Sequence, residues 1–141
     1  QAAADGKKGL ELDPDSAGVH ILLSQIYLMQ GRPQDALPEI ERIHYPSYRA
    51  FLYALAYHAL GREKDSDATL SELMKYQASS ASEIAAVYAF RNQPDEAFEW
   101  LDRAYTQHDL NLNWTKTDPL LKNLHNDRRF AVFLKKLNLP N

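Results

Sequence analysis

The chain of 141 residues contains no cysteine. Disulfide stapling, thiol catalysis and cysteine-ligated zinc are therefore excluded, and burial and hydrogen bonding must hold the fold. Glycine is scarce, at five residues, and no glycine-rich phosphate loop or nucleophile elbow is present. No apolar run approaches the roughly 18–20 residues needed to span a bilayer, and no secretory leader is visible. The net charge of −3 gives no general attraction to nucleic acid or anionic membrane. His20, His44, His58, His108 and His125 form no paired metal motif. Asp13, Asp15 and Gly18 have the opening spacing of a calcium loop, but Ser24 stands at its terminal Glu position, so Asp13-Pro14-Asp15 reads as a turn with a helix cap. Asn113-Trp114-Thr115 is a chance sequon unless the protein is secreted from a glycosylating cell. These absences lead to an expectation of no catalysis, no metal and no cofactor.

What is there is a repeat. Tyr27, Tyr57 and Tyr88 each start the same ladder at +4, +9, +13 and +16: Gly31, Ala36, Ile40, Ile43; Gly61, Ser66, Leu70, Leu73; Asn92, Ala97, Leu101, Ala104. Leu23, Tyr53 and Ile84 stand four residues before each Tyr and are followed by the small residues Ser24, Ala54 and Ala85. Each copy reads as two helices. The first ends where Gly or Asn tolerates a left-handed backbone, and the small residue at +9 lets the second cross it closely. Pro33 and Pro94 suit the first turn of the second helix, where a missing N–H costs nothing. Such a pair cannot bury its own apolar faces, so neighbouring pairs must pack together.

The order of large, small, aromatic, turn and small residues resembles the tetratricopeptide repeat (TPR). The resemblance implies an all-α, right-handed superhelix of antiparallel helix pairs that binds proteins or peptides. A standard TPR repeats about every 34 residues, whereas the Tyr spacings here are 30 and 31. The shortfall lies between Ile43 and Tyr53 and between Leu73 and Ile84, which predicts shortened second helices. Gly9-Leu10-Glu11-Leu12-Asp13-Pro14 resembles the ending of a further repeat. Since the chain opens on Gln1 inside that half-repeat, a C-terminal fragment of a longer protein is expected, with a processed terminus as the alternative. The resulting division is TPR-like repeats over 1–117 and a capping helix pair over 118–141. The repeat part comprises a partial repeat at 1–14, copies at about 15–46, 47–77 and 78–108, and a linker at 109–117.

The cap has its own signals. Asp118-Pro119 is a helix start, Leu120, Leu121 and Leu124 supply an apolar side, and Leu139-Pro140 ends the segment. Asn126 or Asp127 can cap a helix in which Phe130, Phe133, Leu134 and Leu137 share a face, and Trp100 is expected to pack against this pair. Residues 119–141 carry a net +4 against −7 for the remainder. That balance fits a solvated helix end or a docking patch for an acidic partner, with a phosphate backbone the weaker option.

From residue 84 to 140, the runs Ala86-Val87-Tyr88-Ala89, Asp95-Glu96-Ala97-Phe98-Glu99-Trp100-Leu101, Arg103-Ala104-Tyr105, Asp118-Pro119-Leu120 and Asp127-Arg128-Arg129-Phe130 resemble the end of a group of bacterial TPR proteins. In that group the repeats follow winged-helix, nucleotide-cyclase or Ser/Thr kinase domains, which implies a regulatory region of a signalling or transcription-regulatory protein. By analogy with the tetratricopeptide repeat, the resemblance implies that Gln25, Leu28, Met29, Tyr48, Phe51, Leu52, Leu55, His58, Ala86 and Phe90 line the concave groove. Lys, Arg and Asn are missing from this set, so it does not form a carboxylate clamp, and an apolar peptide or helix is the expected guest. Filling of the groove by the chain itself, or by a second copy in a homodimer, is the alternative. Nucleic acid is disfavoured. A cytoplasmic location is expected, although a cysteine-free chain suits the periplasm equally.

Overall fold

A computed structural model describes residues 17–137. The half-repeat at 1–14 and the Leu139-Pro140 stop lie outside those residues. Among the described residues there are α-helices and 3-10 helices and no strand. Two compact units are formed, one running to Glu72 and the other starting at Leu73.

In the first unit, α1 (Ala17–Met29) packs on α2 (Pro33–Glu41), and both pack on α3 (Pro46–Ala59). Helix α4 (Glu63–Met74) follows. The aromatic ladder has a direct structural meaning here. Gly31 and Gly61 take φ of 71° and 76°, the left-handed region that favours glycine. The amide of Arg32 then returns to the Tyr27 carbonyl and that of Arg62 to the Tyr57 carbonyl, each at 2.8 Å, which closes the two helix ends. Pro33 and Pro46 stand in the first turns of α2 and α3. Ser24, Ala36, Ala54 and Ser66 are completely buried, which leaves room for Leu23, Ile40, Ile43, Leu52 and Leu55 to fill the core.

In the second unit, α5 (Gln77–Phe90) and α6 (Pro94–Thr106) form the most extensive helix pair. Asn92 repeats the left-handed turn at φ 58°, and the Gln93 amide returns to Tyr88 at 2.9 Å. A 3-10 turn (Leu110–Trp114), a 3-10 helix (Pro119–Leu124) and α7 (Arg128–Lys136) complete the unit. The stretch 109–117, expected as a linker, thus contains ordered helix. The first element of the cap is a 3-10 helix and not an α-helix. It packs against α5, to which Asn123 Nδ2 donates at the Ala89 carbonyl, 3.1 Å away.

The shortened repeat period has two different structural outcomes. Helix α2 has only nine residues and stops before Ile43. Helix α4 keeps twelve residues, and the irregularity moves to Ser80, where α5 is kinked by a non-helical φ/ψ of −126°/25°. A chain that loses about one turn can shorten a helix or bend the next one, and both are used.

Candidate functional site

The groove positions divide sharply by exposure. Leu28, Phe51, Leu52, Leu55 and Ala86 are buried, whereas Met29 is 40% exposed and Gln25, Tyr48, His58 and Phe90 are partly exposed. In the first unit, which carries all of these except Ala86 and Phe90, the buried members belong to the core that joins α1, α2 and α3. Leu52 and Leu55 have no exposed surface to offer a guest. The parts of the set open to solvent there are Gln25 and Met29 on α1 and Tyr48 and His58 on α3. Tyr48 meets Phe51 edge to face at 6.5 Å, so its ring is steadied by a core aromatic. His58 Nδ1 is hydrogen-bonded to Glu63 Oε1.

Beside these positions runs an aromatic and cationic ladder that the sequence reading missed. Tyr53 and Tyr57 stack at 5.3 Å, Arg49 lies over Tyr53 at 5.6 Å, and Arg62 lies over Tyr57 at 4.6 Å. Arg62 is also paired with Asp65 at 2.7 Å. The first copy repeats the clasp, with Arg32 over Tyr27 at 4.8 Å and paired with Asp35 at 2.8 Å. In the third copy Gln93 replaces the arginine and donates to Glu96 at 2.9 Å. The visible signal was a Tyr followed five residues on by Arg and three later by Asp, present twice.

In the second unit the polar chemistry is structural. Asp118 accepts from the Leu120 amide and Asp127 from the Arg129 amide, each at 2.9 Å, as N-caps. Burial pushes the Asp118 carboxyl above its ordinary range. The Arg129 side chain, 2.8 Å from Asp127 and 2.8 Å from Asp95, holds Asp127 down to about 2 and fixes α7 to α6. Lys136 adds a bond to Asp102 at 3.3 Å. Burial first, and the Asp109 charge second among the raising influences, push Glu83 above its ordinary range. Trp100 is buried and stacked beneath Arg103 at 4.3 Å.

The histidines remain dispersed. His20 is buried with Nδ1 3.5 Å from Glu39, and the His125 ring lies 4.7 Å from that of Phe130. Among the described residues, no three His, Asp or Glu side chains gather as a metal site. Among the same residues, no helix is long and apolar enough to cross a membrane. At the sequon, the Thr115 hydroxyl is buried and donates to the Leu112 carbonyl at 2.7 Å.

With this geometry in view, a family model described as Tetratricopeptide repeat matches residues 17–42, covering α1 and α2. No curated protein and no solved structure matches the chain. The fold is all-α and TPR-like, with helices packed in adjacent pairs. Folds of this type are typically non-catalytic, and tetratricopeptide repeats in general mediate protein–protein interaction.

Proposed function

We propose that the chain is a non-catalytic protein-interaction module that receives an apolar peptide or amphipathic helix on the exposed parts of α1 and α3. Its setting is the C-terminal regulatory region of a larger bacterial signalling or transcription-regulatory protein, working in the cytoplasm. The resemblance of residues 84–140 to regulator-linked repeats supports that setting. The observation that carries the binding site is Met29, which stands 40% exposed on the helix matched by the tetratricopeptide model. A flexible thioether in water is a surface that adapts to an apolar guest.

Calorimetric titration with an amphipathic leucine–alanine helical peptide tests the reading. Met29→Ser is expected to weaken binding about tenfold while melting stays unchanged, and Tyr48→Ala to weaken it similarly with a small loss of stability from the lost Phe51 contact. Absence of binding, or binding that ignores both substitutions, contradicts it.

A further inference from the structure

The second unit carries two exposed surfaces of opposite chemistry. The first is the turn Leu110–Trp114, whose inner side is fixed. Leu112 and Thr115 are buried, and Asp109 accepts from the Asn111 amide at 2.9 Å and the Ser82 amide at 3.3 Å. Asn111 Nδ2 in turn donates to Glu83 Oε1 at 2.9 Å. The turn so held keeps Leu110 and Trp114 in water at 81% and 67% exposure. A concavity of about 350 Å³ opens beside it, lined by Ala78, Ser79, Gln107, Asp109 and Leu110. Among the described residues, no cation is paired with Asp109 or Glu83. This patch is apolar and anionic.

The second surface is the outer face of α7. Phe130, Phe133 and Leu134 are buried on the inner side. Arg128, Val132 and Lys135, spaced i, i+4 and i+7, share the opposite side, with Val132 67% exposed. Arg129 and Lys136 of the same helix are committed to Asp127, Asp95 and Asp102 and lie over Phe98 and Tyr105. Arg128 and Lys135 have no such engagement among the described residues. This face is apolar and cationic.

A Trp and a Leu held in water by a pinned turn form an anchor whose ordering cost on docking is already met. The chain itself carries the complementary charge. We propose that the Leu110–Trp114 turn of one copy docks on the Arg128–Val132–Lys135 face of a second copy of this chain. An acidic peptide would cover the helix face and leave Trp114 in water. A phosphate backbone would use the two cations and waste Val132. A second copy covers both surfaces.

Sedimentation equilibrium of the whole chain, with circular dichroism melting as control, tests this. Trp114→Ser removes the anchor, and the double change Arg128→Glu with Lys135→Glu reverses the face. All three side chains are exposed, so the melting curves stay in place. The wild-type chain self-associates, more weakly as salt rises, and each variant raises the dissociation constant about tenfold or more. An equimolar mixture of the two variants regains association, because one keeps an intact face and the other an intact anchor. A wild-type chain that stays monomeric at about 100 μM, association indifferent to both variants, or a mixture that fails to associate overturns the proposal.

Discussion

Ser66 donates its hydroxyl hydrogen to the carbonyl oxygen of Ala54 at 2.8 Å, and both residues are fully withdrawn from solvent. This bond joins α4 to α3 at the point where the repeat places its small residues. A hydroxyl fits where a methyl fits, and nothing larger does, so Ala36 and Ala97 occupy the equivalent crossings with no exposed surface. Replacing either alanine with Leu overpacks the crossing and costs roughly 1–3 kcal/mol. Ser66→Ala costs about 1 kcal/mol through loss of the buried hydrogen bond to Ala54. Urea denaturation of the three variants measures both effects. Unchanged midpoints for both Leu variants contradict the repeat register.

Much of this register was legible in the sequence, for identifiable reasons. Gly31, Gly61 and Asn92 stand at the three left-handed turns because these residues tolerate that backbone, and Pro33, Pro94 and Pro119 open helices because their φ is fixed in advance. Asp118 and Asp127 cap as their side-chain chemistry dictates. His108 takes φ 57° with no compositional warning, since tertiary packing and not propensity selects it. The kink at Ser80 is similarly silent in a run of serines and alanines. The candidate site was legible only as a helix-face assignment, because periodicity does not say which neighbour will cover a face. Leu52 and Leu55 were assigned to the groove by resemblance to the tetratricopeptide repeat, and both are fully buried.

The cap is held by its apolar face more than by its ion pairs. Leu124→Ala and Leu134→Ala, at buried sites, are expected to cost about 2–5 kcal/mol each. Lys135→Ala, on the outer face, stays within about 0.5 kcal/mol of the parent. Thermal and chemical denaturation distinguish the two classes directly.

Asp127 and Glu83 move in opposite directions and leave opposite signatures in pH. Asp127 is lowered from 3.8 to about 2, so its contribution is present above pH 3.8 and is lost as pH falls through 2. Asp127→Asn should therefore melt lower than the parent near pH 6, with the difference closing as pH approaches 2. Melting midpoints across this range provide the check.

Glu83 is raised above 4.5, mainly by burial and then by Asp109, so its charged form opposes folding. Its favourable contribution is complete below pH 4.5 and disappears as pH rises through the raised value. Glu83→Gln keeps an acceptor for Asn111 and removes the charge. The variant should be more stable than the parent at neutral pH, and the gap should close on acidification. A variant less stable at neutral pH would show that the carboxylate's hydrogen bonds outweigh its desolvation.

In the proposed binding mode a guest is held by side chains exposed on α1 and α3 and not by charge on the cap. Chemical-shift mapping of the whole chain with the amphipathic leucine–alanine peptide, at low and at high salt, separates this mode from docking on the cap. The predicted result is a set of shifts centred on Gln25, Met29, Tyr48 and His58 that persists as salt is raised. Shifts confined to Lys122, Arg128 and Lys135 that vanish in high salt would contradict it.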